Sequence, residues 1–217
     1  MSILFSNPLV MSSRKANAIA GEFHKRVQRL DRTRHRIEQA YSRGLLHLVD
    51  VEASYSGLFL QVVLAYESAM EDFVLGLLVR PGGVASQDPN VRGSVSVRSY
   101  SHAHDLASGP GGRYPSWIGK KDLLDISKLL LKKGAPFDAL PPTQWHFVEQ
   151  SRYIRNAVAH PSENALNQFR RHVIQSTPLP KREQTVSGYL RGRGTPAQTR
   201  WELFVAGLDM FVSAVAK

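Results

Sequence analysis

Thr143-Gln-Trp-His-Phe-Val-Glu-Gln-Ser-Arg-Tyr-Ile-Arg-Asn-Ala-Val-Ala-His-Pro161 is the stretch that decides the fold. Trp145, Phe147, Val148, Ile154 and Val158 recur at the spacing of one helix face, so the segment reads as a core helix with Thr143 as its N-cap. Pro161 disfavours the α conformation at the residue before it, so the helix is expected to stop at His160. The same segment carries Arg152, Arg155, Asn156 and His160, polar groups on an element that otherwise belongs to the interior.

Working upstream, Lys120 to Lys133 is a further helix (Leu123, Leu124, Ile126, Leu129, Leu130). Before it lies an apolar helix from about Tyr55 to Val79, stopped by Arg80-Pro-Gly-Gly and broken only by Glu67, Glu71 and Asp72 among its charges. Residues 13–48 read as one long first helix, with Ile19, Phe23, Val27, Leu30, Ile37, Tyr41, Leu45 and Leu48 in steps of three, four or seven. Downstream, Ser162 caps a helix from Glu163 to about Gln175. Thr195-Pro196 opens the last helix, with Trp201, Phe204, Leu208, Phe211 and Val215 inward. Two stretches are irregular: 81–119, rich in Gly, Ser and Pro and with room for a short hairpin at Val91 to Ser99, and the basic 177–194. Residues 1–12 read as a flexible arm. The expected fold is all-α: a single domain over 13–217, a bundle of about five to six helices with a long first helix and two irregular insertions.

The net charge is +10, and 19 of the 28 cations are arginine, the side chain that grips phosphate with two hydrogen bonds. RNA or another polyanion is the expected partner. Over residues 14–43, nine cations stand against Glu22, Asp31 and Glu38, a balance of +6, with Arg29, Arg32, Arg34 and Arg36 at its centre. Few carboxylates stand near enough to neutralise them, so the helix reads as a rail for phosphates, with Arg29, Arg32 and Arg36 as contacts and Arg191 and Arg193 as a second set. Cysteine is absent, which excludes disulfides and thiolate metal sites and fits a reducing, cytoplasmic setting. Met1-Ser-Ile-Leu-Phe lacks the charged n-region of a signal peptide, and no run of about 20 uninterrupted apolar residues suggests a membrane span.

Several chemistries are excluded by motif. There is no phosphate-binding G-x4-G-K-[ST], no nucleophile elbow and no acidic cluster for two metals. His102-Ala-His104-Asp105 lacks a third matched ligand, so neither metal nor cofactor is expected. Arginine followed by histidine with four to six residues between occurs three times, as Arg29/His35, Arg98/His104 and Arg155/His160, so the spacing alone carries nothing. Context separates them. Only Arg155/His160 lies where an apolar helix runs into a turn, with Asn156 beside the arginine and Pro161 fixing the histidine.

Arg155-Asn156-Ala-Val-Ala-His160 resembles the motif of the HEPN superfamily, whose ribonucleases carry R-x4-6-H with a polar residue after the arginine. The order of helices is similar too, including the acid-bearing Ala65-Tyr-Glu-Ser-Ala-Met-Glu-Asp-Phe73. The arginine-rich first helix and the 81–119 insertion depart from the family pattern, so no subfamily is assigned. The resemblance implies a metal-independent endoribonuclease using Arg155, Asn156 and His160, with Arg152 as a further phosphate contact. It also implies a homodimer with the active site at the interface, and service as a toxin or antiviral effector with a controlling protein partner. The alternative is a non-catalytic helical module that binds RNA or protein. A third possibility makes the first helix a coiled-coil dimerisation arm.

Overall fold

The computed structural model describes residues 13–109, 111–112, 114–175 and 177–217, and the expected arm at 1–12 lies outside them. The chain is all-α. Among the described residues the one sheet is the two-residue parallel pairing of β1 (Arg14–Lys15) with β2 (Val84–Ala85), Arg14 opposite Val84.

The boundary between the first two helices lies earlier than expected. Helix α1 spans Ala16–Ser42 and α2 spans Leu48–Leu78. Gly44 takes a left-handed φ of 73°, and the Leu45 and Gly44 amides donate back to the carbonyls of Ala40 and Tyr41 at 2.9 Å each. That crossed pair closes the last turn and turns the chain out of the helix. His47 and Asp50 then cap each other reciprocally, which starts α2 seven residues before the expected Tyr55. Leu45 and Leu48, expected on the buried stripe, are therefore exposed at the turn (72% and 42%).

Helix α2 is the axis of the bundle. Val51, Tyr55, Phe59, Val62, Val63, Tyr66, Met70, Phe73 and Val74 are buried on it. By length and composition alone α2 could cross a bilayer, and here its apolar side chains pack against α1, α5 (Pro142–Ala159) and α8 (Arg200–Val215). Helix α8 crosses α5 at Gly207, where a β-carbon would stand 2.3 Å from the Phe147 ring. Trp145 and Phe211 meet beside it, ring centres 4.8 Å apart.

The 81–119 stretch is more ordered than expected. Val91–Ser99 forms no hairpin. It runs instead along the ends of two helices, the Val97 amide donating to the Leu78 carbonyl at 2.9 Å and the Ser94 amide to Leu130 at 2.7 Å. Helix α3 (Tyr100–Ser108) follows, then α4 (Lys120–Leu130). Helix α4 ends short of the expected Lys133, because Leu131 already leaves the helical region (φ −109°, ψ 151°), and Lys133 and Gly134 then turn the chain with positive φ, 55° and 67°. The fifth expected helix is α6 (Glu163–Phe169), capped by Ser162 and prolonged by one wide turn, Arg170–Ile174. Basic segment 177–194 also contains a helix, α7 (Val186–Arg191), with Tyr189 and Leu190 buried. The last helix begins at Arg200 rather than at Thr195. The Thr199 hydroxyl accepts from the Glu202 amide at 3.3 Å, and the Glu202 carboxylate accepts from the Thr199 amide at 2.8 Å.

Candidate active site at the end of α5

On α5, Trp145, Val148, Ser151, Ile154 and Ala157 are buried, so Arg152, Arg155 and Asn156 stand at the margins of that face. The helix stops as expected. His160 leaves the α region (φ −138°, ψ 76°), its amide still donating to the Asn156 carbonyl at 2.9 Å, while the Ser162 amide closes on the His160 carbonyl at 2.6 Å. The His160 ring is thereby left exposed beyond the last turn.

Arg155 and Asn156 are joined directly: Nη1 donates to Oδ1 at 3.2 Å. The two side chains face different neighbours. Asn156 lines a cleft of about 350 Å³ with Arg152, Tyr153, Asn164 and Gln168. Arg155 reaches toward α2 and Glu67. Burial pushes the Glu67 carboxyl above the ordinary carboxylate range, the Arg155 charge opposes that shift, and Glu71 adds to it. Among the described residues, none of the α2 carboxylates Glu67, Glu71 and Asp72 pairs with Arg155 within 4 Å. Glu71 accepts from the Tyr114 hydroxyl at 2.7 Å, Asp72 meets Arg14 at 3.4 Å, and Glu67 forms no ion pair among the described residues. Arg155 is thus half-buried and, among the described residues, its side chain bonds only to the Asn156 amide, with no carboxylate in contact.

Arg152 is more committed. It pairs with Glu149 at 3.2 Å and lies over the Tyr153 ring at 4.3 Å. Tyr153 in turn stacks on His172 with ring centres 4.4 Å apart. Glu149 also accepts the Lys120 amide at 2.8 Å, fixing the start of α4 against α5. Behind this group the Tyr66 hydroxyl is buried with no partner among the described residues. Burial, with Glu67 and Glu149 nearby, drives its ionisation far upward.

Compared with protein-family models, curated proteins and solved structures, the chain finds no match.

The remaining expected contacts fall elsewhere. Arg29, Arg32 and Arg36 are exposed along α1 and form a continuous outward face. Arg193 is exposed on the loop before α8, whereas Arg191 forms a two-point pair with Glu38 at 2.8 and 3.0 Å. Arg34, counted with the outward cations from sequence, is in the core at 4% exposure, bonded to Asp31 and Glu202 at 2.8 Å each. Its place was signalled in the chain: 34 continues the apolar series 27, 30, 37, 41. His104 lies against the Tyr114 ring, centres 5.3 Å apart and tilted by 43°, and no group of three or more metal-ligating side chains occurs among the described residues.

Proposed function

We propose that the protein is a metal-independent endoribonuclease of the HEPN type, with Arg155, Asn156 and His160 as its catalytic set. The observation that carries this reading is the state of Arg155: half-buried, oriented by Asn156 and without a carboxylate in contact, beside an exposed histidine on the same helix end. An arginine that has lost part of its hydration gains from an anionic partner. One kept unpaired is available to a phosphate, with which it forms paired charge-assisted hydrogen bonds.

The chemistry follows from the groups. The ribose 2′-oxygen attacks the adjacent phosphorus, and the bond from phosphorus to the 5′-oxygen breaks. The products are a 2′,3′-cyclic phosphate and a 5′-hydroxyl. The proton lost by the 2′-hydroxyl goes to an imidazole, and another imidazole supplies the proton that the leaving oxygen takes up. Arg155 holds the charge that builds on the non-bridging oxygens. Two proton-transfer groups are needed and each chain offers one, so a homodimer that faces two copies of His160 completes the site. In this reading the exposed arginines of α1 hold the strand outside the reacting bond. A toxin or antiviral role with a controlling partner is the setting that the resemblance implies.

The test is cleavage of RNA in EDTA. Wild type is expected to yield cyclic-phosphate ends. Arg155→Ala and His160→Ala should each lower the rate by about 100-fold or more. Uncut RNA with wild type, or undiminished cutting by His160→Ala, sinks the proposal. The exposed face of α1 favours a second reading, a non-catalytic RNA-binding module, in which both variants keep full affinity and no product forms.

A further inference from the structure

A second concavity lies between α1, α2 and α7, enclosing about 480 Å³, with Arg34, Glu38 and Tyr55 at its floor and Arg182, Arg191 and Arg193 around it. Its charges are mostly settled among themselves. Arg34 is held by Asp31 and Glu202, and Glu183 by Arg200 at 2.8 Å. Glu38 receives Nε and Nη2 of Arg191 and also the Tyr55 hydroxyl, at 2.8 Å. Burial pushes Tyr55 up to about 12, so it remains a donor, while its bonds to Arg191 hold Glu38 below the usual carboxylate range.

What is left over is specific. Arg191 is fixed on one edge by Glu38 and on one face by Tyr41, 4.6 Å from the ring centre, and its Nη1 group has no partner among the described residues. Arg182 and Arg193 are exposed and meet no carboxylate within 4 Å among the described residues. Arg182 is brought there by a close approach, since a β-carbon on Gly188 would stand 1.9 Å from the Arg182 carbonyl oxygen. Three guanidinium groups thus offer donors on one concave surface, and for Arg191, which is rigidly preset, an anion avoids the cost of ordering the side chain. Inorganic phosphate fills little of 480 Å³. Tyr41 and Leu48 supply apolar wall for a ring, and Glu52 an acceptor for a hydroxyl or amino group.

We infer that this pocket binds a phosphomonoester of nucleotide size, its phosphate on Arg182, Arg191 and Arg193. Two sources share that chemistry, a free nucleotide and the 5′-phosphorylated end of an RNA strand. The site is separate from the α5 residues and does not rest on the nuclease reading.

The experiment measures binding alone, on the full chain carrying His160→Ala so that RNA stays intact. Equilibrium dialysis and thermal shift are run with each of the four nucleoside 5′-monophosphates, the matching nucleosides, inorganic phosphate, and one short RNA with and without a 5′-phosphate. Saturable binding of a monophosphate, or of the phosphorylated RNA over its unphosphorylated twin, is expected. The further change Arg182→Ala with Arg193→Ala should weaken it by about tenfold or more, while circular dichroism and melting without ligand stay unchanged. Because both arginines are exposed, the fold tolerates their loss; Arg182→Lys with Arg193→Lys should recover part of the affinity. Preference for the free nucleotide or for the strand end names the source. If no phosphate-bearing probe binds, or if the double alanine variant binds as well as its parent, the inference is overturned.

Discussion

Glu38 and Glu67 are two half-buried glutamates displaced in opposite directions, and their substitution should separate them. Glu38 is held charged by Arg191 and Tyr55, so its stabilising effect is present above its ordinary value of 4.5 and is lost as pH falls through the depressed folded value. Glu67 is raised by burial, so the folded protein binds its proton more readily than the unfolded chain does. It costs stability at neutral pH, and the cost disappears as pH falls toward 4.5. Glu38→Gln is therefore expected to destabilise at pH 7, by on the order of 1 kcal/mol, with the loss shrinking in acid. Glu67→Gln should stabilise at pH 7 and approach wild type in acid. Thermal melts of the three proteins at pH 7 and pH 4 give the comparison; the same sign of change for both variants at pH 7 would refute the assignment. Glu67→Gln also leaves Arg155 facing a neutral amide, with no acid to oppose its hold on phosphate.

Helix boundaries were set by small polar groups that competed with longer apolar patterns. Thr199 and Glu202 start α8, so Thr199→Ala is expected to cost about 1 kcal/mol in chemical denaturation. Thr195, whose hydroxyl accepts only from the Gln198 amide in the preceding turn at 3.0 Å, should matter less. Equal losses for the two would contradict the boundary. The apolar faces of α2, α5 and α8 were legible because three- and four-residue steps survive in the sequence, and the stop at Pro161 because proline restricts the residue before it. The break at Gly44 was missed because Leu45 and Leu48 keep the period running past it, though a glycine free to take positive φ is the signal for a helix end. Helices α3 and α7 were missed for a different reason. Each is short and set among glycines and prolines, and its helicity depends on packing against α2 that no local pattern encodes. At the α5 site, the motif residues were legible as types in a setting. That Arg155 would lack an acid partner was not, because Glu67, Glu71 and Asp72 on the neighbouring apolar helix could each have served.

At the scale of the molecule, the positive charge is not spread evenly. Arg34, Arg191 and Arg200 are neutralised within the fold, and the surplus is left on the outward face of α1 and on the exposed arginines around α7. Reversing Arg29, Arg32 and Arg36 to Glu is expected to lower RNA affinity by more than about tenfold at low salt. The dependence of log K on log salt should flatten by roughly one unit for every phosphate that α1 no longer neutralises. A filter-binding titration over a range of salt reads both. An unchanged slope would show that α1 carries no strand. Because the three side chains lie on an exposed face, melting should shift little.

The chain also closes on itself. Arg14 pairs with Val84, and the Gln87 amide donates to the carbonyl of Lys217 at 3.2 Å, so both ends of the described chain are moored to one short segment. Val84 and Gln87 lie no more than about 10 Å apart even at full extension. The backbone is thus close to a ring fastened at a single clasp. Linking Arg14 to Lys217 would ask little loop-closure entropy of the unfolded chain beyond what folding already spends at that point. Loosening the clasp, by contrast, frees the start of α1 and the end of α8 together, and with them both flanks of α2.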